Sequence, residues 1–167
     1  VVLADDNLNV LRLLTDYFAE TPDIELVKAV SDGAQVVDAV RAHRPDVLVT
    51  DIIMPRRDGF RILEELNALP EEERPRVIVL TGLSRDDFIL RAVKLGASYY
   101  MVKPFDVRLL ASRIREVASS FENASIAEFP TERESARQDV DEQVTNLFLT
   151  IGIPAHIKGY HYLREAV

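Results

Sequence analysis

DVLVTDIIMPRRDG, residues 46–59, opens as a β-branched apolar run and stops on a carboxylate, Asp51. A strand that ends on a bare acid either sets a reactive oxygen at a sheet edge or caps a loop. The run DVLVT (46–50) is continuous rather than alternating, the pattern of a strand covered on both faces in a parallel sheet. VVLA (1–4), RVIVLT (76–81) and SYYMV (98–102) read the same way. IELVKAV (24–30) alternates more and predicts an edge strand. Helical stripes lie between these runs. Leu11, Leu14 and Phe18 share one face, as do Val36, Val37 and Val40. Leu63 with Leu66 follow, then Phe88, Ile89, Ala92 and Val93, and finally Val107, Leu110, Ile114 and Val117. Ser-Asp-Gly at 31–33, Pro70, Pro75, Gly96 and Pro104 punctuate them. Strand and helix thus alternate five times and end near Phe121, which predicts a three-layer α/β domain with a parallel sheet.

Composition narrows the function class. The 167 residues carry a formal charge of -8, which excludes nucleic-acid binding by bulk electrostatics for this stretch. There is no cysteine, as expected of a cytoplasmic protein held together without disulfides. No apolar run is long enough to span a bilayer, so no membrane partner is expected. VVLADD already reads as a strand, and LREAV stops inside a helical pattern, so the chain is expected to be a fragment.

In an open parallel sheet, ligands sit beyond the carboxyl ends of the strands. The first strand ends on Asp5 and Asp6, the third on Asp51, the fourth on Thr81 and Gly82, the fifth on Lys103 and Pro104. Each residue alone has a plain structural role: a helix-start acid, a loop cap, a strand terminus, a surface lysine. Together they bring three carboxylates, a hydroxyl and an ammonium to one edge. Such carboxylates repel unless a cation joins them, and hard oxygen ligands suit Mg²⁺, with Ca²⁺ also fitting.

The set ADD (4–6), TDIIMPRRDG (50–59), LTG (80–82) and GASYYMVKPF (96–105) resembles the receiver domain of bacterial two-component response regulators over residues 1–121. The resemblance implies a flavodoxin-like (βα)5 fold with strand order 2-1-3-4-5. It implies that Asp51 accepts a phosphoryl group from a phosphohistidine on a histidine phosphotransferase or sensor kinase. Asp6, Asp51 and the backbone carbonyl of Ile53 would hold the metal, with Asp5 beside it. Lys103 would pair with the phosphoryl oxygens across a cis Lys103-Pro104 bond, and Thr81 would hydrogen-bond them. Ile52 and Ile53 are both expected to pack, Ile53 lending its carbonyl alone. Tyr100 occupies the aromatic switch position, filling space that Thr81 vacates on phosphorylation, and the altered surface would favour a homodimer.

Residues 122–138 are polar and aperiodic and predict a linker. From Asp139 a capping pattern and the stripe Val140, Val144, Leu147 and Ile151 predict helices over 139–167. GIPAHIKGYHYLREA (152–166) resembles the opening of the all-α helix-turn-helix effector domain of the stage-zero sporulation regulators of endospore-forming Firmicutes. That resemblance implies a phosphorylation-activated transcription factor whose base-reading helix lies beyond residue 167, reaching promoter DNA through a domain incomplete here. His156 and His161, five apart, share a helix face poorly and are expected in packing or solvent. LPEEERP (69–75) reads as a solvated acidic loop.

Two other functions fit the strand-end cluster. A metal-dependent phosphatase with an aspartyl-phosphate intermediate usually carries a second acid two residues after its nucleophile, where this chain has Ile53. A protein-interaction module that never accepts phosphate is the other, and the intact set Asp6, Asp51, Thr81 and Lys103 argues against it.

Overall fold

The computed structural model describes residues 1–124. The expected linker beyond them and the helices over 139–167 lie outside the described residues. Five strands alternate with five helices: β1 (Val2–Ala4), α1 (Leu8–Ala19), β2 (Lys28–Val30), α2 (Val36–His43), β3 (Val47–Thr50), α3 (Gly59–Asn67), β4 (Arg76–Thr81), α4 (Asp86–Lys94), β5 (Tyr99–Val102) and α5 (Val107–Ala124). All pairings are parallel, in the order β2-β1-β3-β4-β5, which is the flavodoxin-like arrangement.

The two-residue side-chain period of the strands sorts the core into two layers. Val2, Ala4, Leu48, Val77, Val79 and Tyr100 face α2, α3 and α4. Leu3, Val47, Val49, Ile78, Leu80, Tyr99 and Met101 face α1 and α5. Covering both faces requires continuous apolar strands, the pattern seen in the sequence. The helical stripes meet these faces. Leu11, Leu14 and Phe18 of α1 are buried, as are Val36, Val37 and Val40 of α2. Leu110 of α5 is 0% exposed, and burial of a leucine contributes about 1.5–3 kcal/mol.

Turn chemistry starts the helices at the carboxyl edge of the sheet. The Asn7 side chain accepts from Asn9 N and caps α1, and Asp58 accepts from Arg61 N and caps α3. Asp106 accepts from Arg108 N at 2.7 Å as α5 begins.

Three local features differ from expectation. The edge strand occupies Lys28–Val30, not residues 24–30, because Thr21–Ile24 forms a turn (Ile24 N to Thr21 O, 3.1 Å). On this edge the ladder to β1 is three residues long, with Val2, Leu3 and Ala4 opposite Lys28, Ala29 and Val30. Helix α5 runs to Ala124, so residues 122–124 belong to it. The acidic loop holds a short 3-10 turn, Glu71–Glu73, with Glu73 paired to Arg44 at 3.2 Å. No helix among the described residues is long and apolar enough to cross a membrane.

Candidate functional site

Main-chain bonds carry the sheet one residue past its strands and set the site in a row. Asp5 N donates to Val30 O at 3.1 Å and Asp51 N to Ala4 O at 2.8 Å, fixing both acids against neighbouring strands. Lys103 N donates to Thr81 O at 2.8 Å across β4 and β5. The residues expected at one edge therefore meet there. One carboxylate oxygen from each of Asp5, Asp6 and Asp51 lies within 4.8 Å of the others. Lys103 Nζ reaches Asp5 Oδ2 at 2.6 Å and Asp51 Oδ2 at 2.7 Å. The Lys103-Pro104 peptide is cis.

The three acids are not equivalent. Asp5 is 3% exposed and Asp51 6%, whereas Asp6 is exposed. Both oxygens of Asp51 are engaged: Oδ1 accepts from Ile52 N at 2.5 Å and Ile53 N at 3.0 Å, and Oδ2 faces the ammonium. Asp5 Oδ1 accepts from Asn7 N at 2.9 Å. Burial raises the Asp5 carboxyl above its ordinary range despite the lysine beside it, and the Asp51 charge pushes the same way. Burial opposes the charge on Lys103, but the two carboxylates outweigh it and hold its pKa above the ordinary lysine value. Three carboxylates facing one ammonium leave two formal negative charges in a hard-oxygen pocket. That donor set fits a divalent cation of the Mg²⁺ or Ca²⁺ kind.

Thr81 is 0% exposed and its Oγ1 has no hydrogen-bond partner. Tyr100 lies one strand over, 4% exposed, with its hydroxyl donating to Leu83 O at 2.8 Å. Burial, then the charge of Asp51, pushes this phenol up to about 12. The ring is buried in the unphosphorylated protein, where Leu83 O satisfies the one polar atom that would resist burial.

One expectation needs correction. Ile52 packs at 3% exposure, but the Ile53 side chain is 56% exposed and does not join the core. The main chain explains it: Ile52 and Ile53 both turn their N–H groups onto Asp51 Oδ1, and that turn aims successive side chains apart.

Sequence reading passed over two residues near the site. Asp32 is 5% exposed and pairs with Arg56 of the β3–α3 loop. Asp32-Gly33 read only as punctuation, and a pairing across 24 positions leaves no local signature. Gly33 and Gly59 sit where a side chain has no room. A Cβ on Gly33 would lie 1.8 Å from Arg57 O, and one on Gly59 would lie 2.5 Å from Asp51 O.

Solved structures share this arrangement of strands and helices. The signal receiver domain of a DNA-binding response regulator (merR) from Colwellia psychrerythraea is 26% identical, covering 71% of this chain and 96% of its own, with a TM-score of 0.64. The receiver domain of the Francisella response regulator 1452 is 25% identical over 72% and 96%, with a TM-score of 0.65. A CheY-like response regulator receiver domain protein from Methanospirillum hungatei is 21% identical over 74% and 95%, with a TM-score of 0.66, a likeness of fold. Residues 1–115 match the response regulator receiver domain family. With that match spanning the acidic cluster, Thr81 and Lys103, the chain belongs to the receiver domains of two-component response regulators.

Proposed function

We propose that Asp51 is the phosphoacceptor and that a phosphohistidine on a histidine phosphotransferase or sensor kinase is its donor. The observation that carries this reading is the meeting of Asp5, Asp6, Asp51 and Lys103 around one point at the sheet edge. A carboxylate oxygen of Asp51 attacks phosphorus in line, the P–N bond to the donor imidazole breaks, and its electron pair stays on that nitrogen. Lys103 transfers its ammonium contacts from the Asp51 carboxylate to the phosphoryl oxygens as charge moves there. Thr81, whose hydroxyl is buried and unpartnered, supplies a hydrogen bond to a phosphoryl oxygen. Asp6, Asp51 and the Ile53 carbonyl would hold Mg²⁺, with Asp5 beside it; such an ion, when bound, neutralises charge on the transferring group. Leu8, 65% exposed, and Ile53, 56% exposed, follow the two acidic segments and give a protein donor apolar surface at the rim.

Position 53 offers no acid for protonating a leaving group, which supports signalling over turnover of external phosphate esters. The wider role we infer is a phosphorylation-activated transcription factor of the sporulation-regulator type in the cytoplasm. In that role the residues through the end of α5 at Ala124 are the receiver, those from there to 138 the linker, and 139–167 the start of a DNA-binding domain that acts on promoters as a homodimer. The support is the string 152–166. Labelling with acetyl phosphate and Mg²⁺ tests the core of the reading. Asp51→Asn should abolish incorporation, and undiminished labelling of that variant refutes the acceptor assignment.

A further inference from the structure

We propose that the ion pair between Asp32 and Arg56 is a clamp that positions the Asp51–Asp58 loop for cation binding, which makes both of them positioning residues. The inference rests on the reading of Asp51 as the phosphoacceptor. The loop is tied at its ends, by Ile52 N and Ile53 N on Asp51 Oδ1 and by Gly59 N on Ile52 O at 2.8 Å. Its far bend, Pro55–Arg57, closes on itself through Arg57 N to Pro55 O at 2.7 Å. What holds this bend from outside α3 comes from the β2–α2 connection, by two contacts.

The first contact is the ion pair. Asp32 Oδ1 accepts from Ala34 N at 3.0 Å and caps the short turn Gly33–Gln35. That explains one oxygen; the other faces the Arg56 guanidinium. A carboxylate only 5% exposed requires a cation, and Arg56 supplies it from a side chain 69% exposed. Little of that side chain is packed, so its contribution is the ionic tie rather than apolar burial. The second contact is steric: the Gly33 backbone lies so close under Arg57 O that a Cβ would come within 1.8 Å. Between these contacts Arg56 adopts φ 63°, a left-handed conformation disfavoured for a residue with a Cβ. The tie thus holds a bend the chain would not adopt freely, three residues from the Ile53 carbonyl. Released, the loop loses the fixed geometry that a small octahedral ion demands.

The full chain with two substitutions tests this. Asp32→Asn keeps the capping oxygen and removes the charge. Arg56→Gly removes the guanidinium and relieves the left-handed backbone. Mg²⁺ affinity is measured by calorimetry, and acetyl phosphate labelling is followed across Mg²⁺ concentrations. Each variant should bind Mg²⁺ roughly tenfold more weakly, as loss of an outer-shell partner does. Each should label slowly at low Mg²⁺ and at the wild-type rate once Mg²⁺ saturates. The double variant should be no weaker than either single one, and Arg56→Lys should recover part of the affinity. Arg115→Ala, which breaks an exposed pair with Asp23 beside Val1 and Val47 at the other end of the sheet, should leave Mg²⁺ binding unchanged. Wild-type Mg²⁺ affinity in Asp32→Asn or Arg56→Gly, additive losses in the double variant, or a lowered melting temperature with intact Mg²⁺ binding overturns the clamp. A wild type that takes no label refutes the acceptor reading and the clamp with it; normal wild-type labelling beside unaltered variants refutes the clamp alone.

Discussion

Thr81→Val should make the unphosphorylated protein more stable while impairing its response to phosphorylation. The Thr81 hydroxyl is fully buried and has no partner. An unsatisfied polar group of this kind costs about 1–3 kcal/mol, and a methyl in its place removes that penalty. Unfolding entropy of roughly 2.1 cal/mol/K per residue over the 124 described residues gives about 0.26 kcal/mol/K. The substitution should therefore raise the melting temperature by about 4–12 °C. The assay is thermal unfolding by circular dichroism in EDTA, repeated with Mg²⁺ and beryllofluoride as the phosphoryl mimic. In EDTA the valine variant should melt higher. With the mimic, wild type should gain more than the variant, because only its hydroxyl acquires an acceptor. An unchanged or lower melting temperature in EDTA would mean that the hydroxyl is already satisfied, and the argument that it is held in reserve would fail.

Gly59→Ala should destabilise by about 1–3 kcal/mol in chemical denaturation and slow acetyl phosphate labelling, since its Cβ would meet Asp51 O at 2.5 Å and Ile52 Cα at 2.7 Å, both main-chain atoms. Asp5→Asn should be more stable than wild type in EDTA at pH 7. Burial raises the folded Asp5 pKa above 3.8, so its contribution is fully present below that pH and lost as pH rises through the folded value; the variant's advantage should close as urea midpoints are taken toward pH 3.8, and an advantage independent of pH would refute the cause. Leu110→Ala should cost about 2–5 kcal/mol through the cavity it leaves between α5 and the sheet, read from urea midpoints, without changing which residue is labelled.

The sheet was legible because its physics is local and periodic. Four of five strands lie within a residue of their apolar runs, and a run apolar on both sides can only be covered twice. The site was legible for a related reason: it is assembled from the residues that follow those runs. Residues 24–27 misled because alternation alone does not make a strand: they lead out of the turn Thr21–Ile24, and the ladder with β1 begins at Lys28. Ile53 misled because apolar character was taken to mean burial, when the demand of Asp51 Oδ1 for two N–H donors decides where the side chain goes. The pairing of Asp32 with Arg56 could not be read, since it depends on two loops meeting after the sheet has formed.

Several residues at the carboxyl edge are locally badly served. Burial disfavours the charge on Asp5, Thr81 is buried with a hydroxyl unpaired, and Arg56 is bent into a left-handed conformation. The packed layers on either side of the sheet show apolar side chains in mutual contact. A chain selected for stability alone would replace these residues, with asparagine, valine and glycine respectively. Each discomfort is relieved by something a phosphorylated, cation-loaded pocket would supply: a cation for the carboxylates, an acceptor for the hydroxyl, and a use for the fixed loop. The three follow or end different strands, with Arg56 in the loop after β3, so no single local accident accounts for them. Their coincidence at one edge is the physical argument that the fold's stability is spent there on a switch.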